Sequence, residues 1–315
     1  MSSKPFAITL DVGTSLANRT GSWRTLRPVY VNRLPPCNAK CPAGEQCQAW
    51  LYHAESGDYR HAWEKIVEDN PFPACMGRVC YHTCESACNR GELDESVGIN
   101  AVERFLGDHA LENGWSFKKP ETKSGKRVLV VGAGPAGLSA AYHLARMGHE
   151  VCVRDGAKAA GGMMRYGIPA YRLPRERLDE DIRAVLGAGD IEVRTGCDVQ
   201  TDEMRTLVDE FDAVYVAVGA QGGKTLSIEG ADAAGVMSAV DVLEAIGDEQ
   251  YPDFTGKNVV VIGGGNVAMD CARTAVRAGA ASVTVAYRRR LEDMTALPSE
   301  VEAAMMEGVE MRCLQ

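Results

Sequence analysis

Two glycine-rich fingerprints on one chain limit its fold more than any other feature: Gly132-Ala133-Gly134-Pro135-Ala136-Gly137 and Gly263-Gly264-Gly265-Asn266-Val267-Ala268. Each follows an apolar, β-branched run, Val128 to Val131 and Val259 to Ile262, and each opens a segment with helical spacing. A single GxGxxG carries little weight. Strand, fingerprint and helix in that order make up the start of a dinucleotide-binding βαβ unit, and here the order occurs twice. The pattern predicts an α/β chain with two Rossmann-like units on parallel sheets.

In the first unit, Gly132 permits the tight strand-to-helix turn, Gly134 lets the backbone approach a pyrophosphate, and Gly137 allows the helix to pack on the strand. Pro135 and Ala136 begin the helix, whose free N–H groups suit phosphate oxygens. The helix runs through Leu138, Ala141, Leu144 and Ala145 and breaks at Gly148. A second strand, Val151 to Arg154, ends on Asp155, where a carboxylate accepts a ribose 2′-hydroxyl. Asp155 therefore predicts an adenosine without a 2′-phosphate, as in FAD or NAD.

The second unit has Ala268 at its third glycine position, with Gly263, Gly265, Asn266 and Val267 as the phosphate-facing turn. Its second strand, Ser282 to Tyr287, ends on Arg288-Arg289-Arg290 and carries no acid. Guanidinium groups bind phosphate oxygens in a bidentate manner, so Arg288 and Arg289 favour NADP(H) over NAD(H). A solvated basic turn is the plainer alternative for any single one of them.

A net charge of -9 argues against a nucleic-acid surface. No run of uncharged apolar residues is long enough for a membrane span, and Met1 to Asn18 lacks the basic and apolar segments of a secretory signal. A cytoplasmic protein is expected. Eleven cysteines, an odd number, suggest thiols kept reduced and used as ligands where they cluster. The first group is Cys37, Cys41 and Cys47, and the second is Cys75, Cys80, Cys84 and Cys88. Between them a helical pair is predicted, Gln48 to Glu55 and Asp58 to Glu68, with Asp58 as N-cap, Gly57 as breaker, and Ala62, Trp63, Ile66 and Val67 as the apolar face. Short, irregular cysteine spacings suit an iron–sulfur cluster, and the paired CxxC of zinc ribbons is missing. Zinc or a metal-free block remain alternatives. Cys152, Cys197, Cys271 and Cys313 are scattered and read as ordinary buried thiols.

These motifs, together with Asn70-Pro71-Phe72-Pro73, Gly77-Arg78-Val79-Cys80, Gly161-Gly162-Met163-Met164-Arg165-Tyr166-Gly167-Ile168-Pro169, Arg172-Leu173-Pro174 and Met269-Asp270, resemble the family that holds the small subunit of NADPH-dependent glutamate synthase and the N-terminal half of dihydropyrimidine dehydrogenase. The resemblance runs from about Leu34 onward. It implies an N-terminal α-helical iron–sulfur domain, then a Rossmann-like FAD domain and the start of an inserted Rossmann-like NADPH domain. The corresponding boundaries are 1–33 for an extension, 34–122 for the cluster, 123–222 for FAD and 223–315 for NAD(P)H. It also implies that Gly161, Gly162, Met163, Arg165, Gly167 and Arg172 lie along the flavin, that Gly219 marks the crossover between domains, and that Asp270 belongs to the NADP(H) site. Its cofactors would be FAD, NADP(H) and [4Fe-4S], one cluster expected and two possible. Its partner would be an electron-accepting subunit, either the glutamate synthase large subunit or a ferredoxin-linked or pyrimidine-reducing protein. No catalytic side chain is expected, because the hydride chemistry belongs to the cofactors.

By matching positions, one cluster would use Cys41, Cys80 and Cys84 with Glu103 as fourth ligand. The second would keep Cys37 and Cys88, with Cys47 or Cys75 to substitute. Relatives with two clusters carry a further CxxC pair upstream of Cys37, and Ser22 to Pro36 contains no cysteine. The family also continues past the position of Gln315, so a fragment that holds FAD weakly is one expectation. A silent chain that only binds metal, nucleotide or partner is the alternative.

Overall fold

The computed structural model describes residues 34–224 and 226–315, so the expected extension 1–33 falls outside the described residues. The chain begins with a helical block of α1 (Pro36–Lys40), α2 (Cys47–Glu55), α3 (Tyr59–Ile66), α4 (Pro73–Val79), α5 (Thr83–Ser86) and α6 (Ile99–Glu112). The predicted helical pair is α2 and α3. Gly57, at a φ of 76°, turns the chain between them, and the Asp58 carboxylate accepts the His61 backbone N–H at 3.4 Å as an N-cap. Ala62, Trp63, Ile66 and Val67 are all buried.

Two glycines let α4 and α6 cross at backbone contact. A Cβ on Gly77 would stand 2.4 Å from Arg104 Cα, and one on Gly107 would stand 2.3 Å from the Ala74 nitrogen. Only hydrogen fits at either position. The crossing brings Cys80, which caps the C-terminus of α4, within electrostatic reach of Glu103 on α6.

The middle of the chain forms β1 (Arg127–Val131), α7 (Pro135–Arg146), β2 (Glu150–Arg154), α8 (Met163–Tyr166), α9 (Arg175–Leu186), β3 (Ile191–Arg194), α10 (Thr201–Glu210) and β4 (Ala213–Val216). The strands make a parallel sheet in the order β3-β2-β1-β4, with Val130 paired to Val153 on one side and to Tyr215 on the other. Val128 to Val131 are buried, which explains the unbroken apolar run: a parallel strand covered on both faces has no polar side. Gly148 ends the α7 turn at a φ of 86°. The core beneath this sheet continues into the helical block, since Trp63, Phe72, Cys75 and Phe117 pack in one cluster with Leu138, Tyr142 and Leu178. Tyr142 Oη donates to the Val67 carbonyl at 2.6 Å across that junction.

Asp181 on α9 also crosses the junction. Its Oδ2 accepts the backbone N–H of Cys75 at 2.9 Å, in the first turn of α4. Burial pushes its carboxyl up to about 7. A raised carboxyl pKa means that between about pH 4 and pH 7 the unfolded chain has ionised this group and the folded chain has not. Stability from this source is therefore complete at low pH and lost as pH rises through that window, by roughly 4 kcal/mol at most. Asp181→Asn keeps an acceptor for Cys75 and removes the titration. The variant is expected to be more stable than the parent at about pH 8, with the difference shrinking towards about pH 4, in denaturant unfolding at both. An unchanged difference would show that Asp181 does not titrate in this window.

The last third forms α11 (Ala239–Gly247), β5 (Asn258–Ile262), α12 (Asn266–Arg277), β6 (Ser282–Tyr287), α13 (Pro298–Met306) and β7 (Glu310–Cys313). The strands are parallel in the order β5-β6-β7, with Val261 opposite Val285. β7 follows α13 directly. An apolar face of β5 is exposed, since Val260 and Ile262 are 63% and 57% accessible. One expectation fails. Cys197 is exposed in the loop after β3 and Cys313 is half-buried at the end of β7, while Cys152 and Cys271 are buried as read.

Candidate cofactor and cluster sites

The first fingerprint is shaped as its residue types require. A Cβ on Gly137 would lie 1.8 Å from the Gly132 carbonyl oxygen, and Gly132 has a φ of 109° with the Ala217 oxygen against its α-carbon. Pro135 and Ala136 are exposed at the N-terminus of α7, so the free N–H groups of that helix face solvent. Gly161 N–H donates to the Ala133 carbonyl at 2.8 Å, which lays the Gly161-Gly162 turn against the fingerprint. A Cβ on Gly162, where φ is 49°, would come within 2.6 Å of Gly134 Cα. The glycines let the two turns meet at backbone contact beside the exposed N-terminus of α7, a surface whose residue types fit the pyrophosphate of an FAD. Asp155 stands at the end of β2 as expected. Its Oδ2 accepts from Ala133 N–H at 2.5 Å and its Oδ1 from Ala157 N–H at 2.7 Å, and each oxygen keeps a further lone pair.

Met163 and Gly167 sit on and just after α8, and Gly219 holds a φ of 68° in the loop after β4. Three assigned side chains are engaged elsewhere. Arg165 donates from Nε to the Ala160 carbonyl at 2.7 Å and pairs with Asp179. Arg172 pairs with Asp270 at 2.8 Å and with Glu300 at 3.0 Å, all three buried or nearly so. Arg165, Arg172 and Asp270 thus take part in ion pairs within the protein. Arg172 and Asp270 join the loop beneath the first sheet to α12 of the second, because a buried guanidinium and a buried carboxylate each need a partner. Burial raises the Asp270 carboxyl to about 6 even so.

In the second fingerprint a Cβ on Gly264 would strike the Tyr287 ring at 2.6 Å, and Gly263 has a φ of 144° with Ala268 Cβ behind it. Gly265 is open, with Thr295 Oγ1 the nearest contact, and Val267 is exposed at the start of α12. Asn266 Oδ1 accepts the Leu297 N–H at 2.8 Å, which anchors the loop before α13 to the fingerprint. Past β6, Arg290 is held by Glu292 and Asp293. Arg288 and Arg289 are exposed and make no ion pair among the described residues.

Six of the seven N-terminal cysteines converge. The Cys47 thiol donates to the Glu45 carbonyl at 3.8 Å and lies beside Cys41 and Cys84; that closeness pulls the Cys41 thiol down to about 6, lowers Cys84 and raises Cys47 itself. Cys80 feels Cys41, Cys84 and Glu103, while Cys37 and Cys88 feel one another or Cys84. Thr83 Oγ1 donates to the Lys40 carbonyl at 2.8 Å and ties α5 to α1, which holds the two groups together. Of the two substitutes weighed, Cys47 belongs to this group and Cys75 does not, since Cys75 is fully buried against Asp181. Among the described residues no three ligating side chains close on one point as a single metal ion needs. The wider thiol spread, with Cys41, Cys84 and Cys88 lowered, suits a multi-iron cluster.

Sequence spacing did not reveal Glu45 and Asn70. Both are buried beside Glu103, and Asn70 Nδ2 donates to Glu45 Oε1 and to Glu103 Oε1 at 2.9 Å each. The only signal was Asn70 opening the Asn-Pro-Phe-Pro motif.

Two dinucleotide units beside a thiol-lined helical block define a two-nucleotide, iron–sulfur oxidoreductase. Residues 126–313 match the family model of pyridine nucleotide-disulphide oxidoreductases, and residues 27–115 match dihydropyrimidine dehydrogenase domain II, 4Fe-4S cluster. The chain belongs to the pyridine nucleotide-disulphide oxidoreductase family, with a 4Fe-4S cluster domain ahead of its FAD- and NADP-binding region. It is 36% identical to NADP(+)-dependent formate dehydrogenase subunit beta of Moorella thermoacetica, over 87% of this chain and 42% of that one. It is 37% identical to the glutamate synthase [NADPH] small chain of Escherichia coli, over 88% and 62%. It is also 37% identical to NADPH-Fe(3+) oxidoreductase subunit beta of Geobacter sulfurreducens, over 90% and 44%. The chain thus spans about half the length of these relatives, which by name are subunits of larger enzymes. Mycobacterium tuberculosis FprA in complex with NADPH shares the fold, at a TM-score of 0.50 and 23% identity over 58% of this chain and 48% of that one. Among the described residues no helix is long and apolar enough to cross a membrane.

Proposed function

We propose that this chain is the electron-input part of an NADPH-oxidising flavo-iron–sulfur enzyme of the glutamate synthase small-subunit type, which passes electrons to a partner subunit. The observation that carries this reading is the shared core that packs the thiol-lined block directly onto the sheet bearing the first fingerprint. FAD when bound supplies the exchange between hydride and single electrons, and the cluster carries electrons singly. The protein's part is to bind and orient. The open N-terminus of α7 and the Gly134–Gly162 cradle would take the FAD pyrophosphate, and Asp155 its ribose. Gly263, Gly265 and the N-terminus of α12 would take the second nucleotide, with Val267 and Ala268 lining the turn. Cys41, Cys80 and Cys84 would hold the cluster with Glu103 as the fourth ligand, and Cys37, Cys47 and Cys88 stand at its edge. One [4Fe-4S] cluster is the count the described cysteines support. The cytoplasm is the proposed compartment, since all eleven cysteines are free thiols.

Arg288 and Arg289 set the choice of nucleotide. Replacing both with Ala is expected to weaken NADPH roughly 10- to 100-fold and to leave NADH nearly unchanged, because only the 2′-phosphate contact is lost. Titration of the purified protein with each nucleotide reads this out, and equal losses would remove the assignment. The reading as a whole requires iron, acid-labile sulfide and flavin in the purified protein; a protein with zinc and no sulfide would overturn it.

A further inference from the structure

We propose that Asn70 is a positioning residue that aims Glu103 at the cluster as its non-cysteine ligand; this rests on the iron–sulfur reading above. Glu45, Asn70 and Glu103 are each about 95% buried, and neither carboxylate makes an ion pair among the described residues. A buried carboxylate without a cation is costly, and the Glu103 carboxylate faces the charges of Cys41 and Cys84 as well as that of Glu45. A cationic iron among those thiols relieves that cost.

The amide of Asn70 fixes the direction. Its two Nδ2 hydrogens are both committed, one to Glu45 Oε1 and one to Glu103 Oε1, and its Oδ1 accepts the Phe72 N–H at 2.9 Å. The amide cannot flip, because Oδ1 would then face two carboxylate oxygens. Glu45 is itself pinned, since Trp50 Nε1 donates to its Oε2 at 3.2 Å and Trp50 is fully buried. The chain Trp50, Glu45, Asn70 therefore grips one oxygen of Glu103 and leaves the other for metal. A ligand held this way keeps its iron when the cluster is oxidised, whereas a loose one releases it and leaves a three-iron cluster.

Two variants separate this role from the turn that Asn70 also makes. Asn70→Asp retains an oxygen for Phe72 N–H and loses both donors; Asn70→Ser retains a hydroxyl acceptor and is too short to reach Glu103. Each purified protein is oxidised briefly with ferricyanide and examined by electron paramagnetic resonance, with circular dichroism as the check on folding. Both variants are expected to fold and to form the [3Fe-4S] signal roughly tenfold more readily than the parent, the scale on which loss of an outer partner weakens metal binding. Glu103→Ala is expected to behave alike. Variants that hold their [4Fe-4S] cluster as firmly as the parent would overturn the proposal, and so would variants that misfold and carry no cluster at all, which would assign Asn70 to the turn alone. A parent protein without iron would instead remove the iron–sulfur reading.

Discussion

Cys84→Ser is expected to strip the protein of its cluster, with iron and acid-labile sulfide falling to roughly a tenth of the parent or less. Cys84 is the thiol at the centre of the group. It packs with Cys47, and its charge bears on Cys37, Cys80 and Cys88. A serine hydroxyl stays protonated at neutral pH and is a poor match for iron beside thiolates. The helical block has a small core of its own around Trp50, Ile66 and Leu106, so its stability should fall with the metal. Cys75→Ser and Cys197→Ser are the controls. Cys75 is more deeply buried than Cys84 but lies outside the group, and Cys197 is exposed in the loop after β3. Both should keep their iron. Loss of iron in Cys75→Ser, or its retention in Cys84→Ser, would mean that the thiols are grouped wrongly.

Gly137→Ala is expected to be the most damaging single methyl in the nucleotide region. The added carbon would lie 1.8 Å from the Gly132 oxygen and 3.2 Å from Val130 Cγ1, and the first of these is backbone in a turn that cannot yield. Helix α7 must then lift from β1, which opens the core at Leu138 and Ala141 and tilts the N–H groups meant for the pyrophosphate. Overpacking of this kind costs about 3 kcal/mol or more, and bound FAD should be lost with it. Gly222→Ala serves as the comparison, because a Cβ there meets nothing within 4 Å and the backbone is not left-handed. That change should stay within about 0.5 kcal/mol of the parent. Flavin content after gel filtration and the midpoint of thermal unfolding measure both.

The parts of this fold that could be read from the sequence are those with local causes. Strand, glycine turn and helix follow one another along the chain, so β1 to α7 and β5 to α12 were visible in order and extent. Asp58 could be identified as a cap because its partner, His61, is three residues away. What stayed hidden was held by partners far apart in sequence. Asp181 reaches Cys75 across 106 residues, and Arg172 reaches Asp270 across 98. No periodicity records such a pair. The same limit applied within the cluster region. Spacing named the cysteines but could not say that Cys47 turns inward while Cys75 turns to α9, since that depends on how α4 crosses α6 at Gly77 and Gly107.

NADPH, flavin and cluster are expected to be joined in one protein. Anaerobic titration with NADPH, followed by visible absorption and then by electron paramagnetic resonance, tests this most directly. Bleaching of the flavin bands followed by the signal of a reduced [4Fe-4S] cluster, with NADH much less effective, is the predicted result. A protein whose flavin and cluster absorption do not respond to NADPH, or that carries neither chromophore, would contradict it.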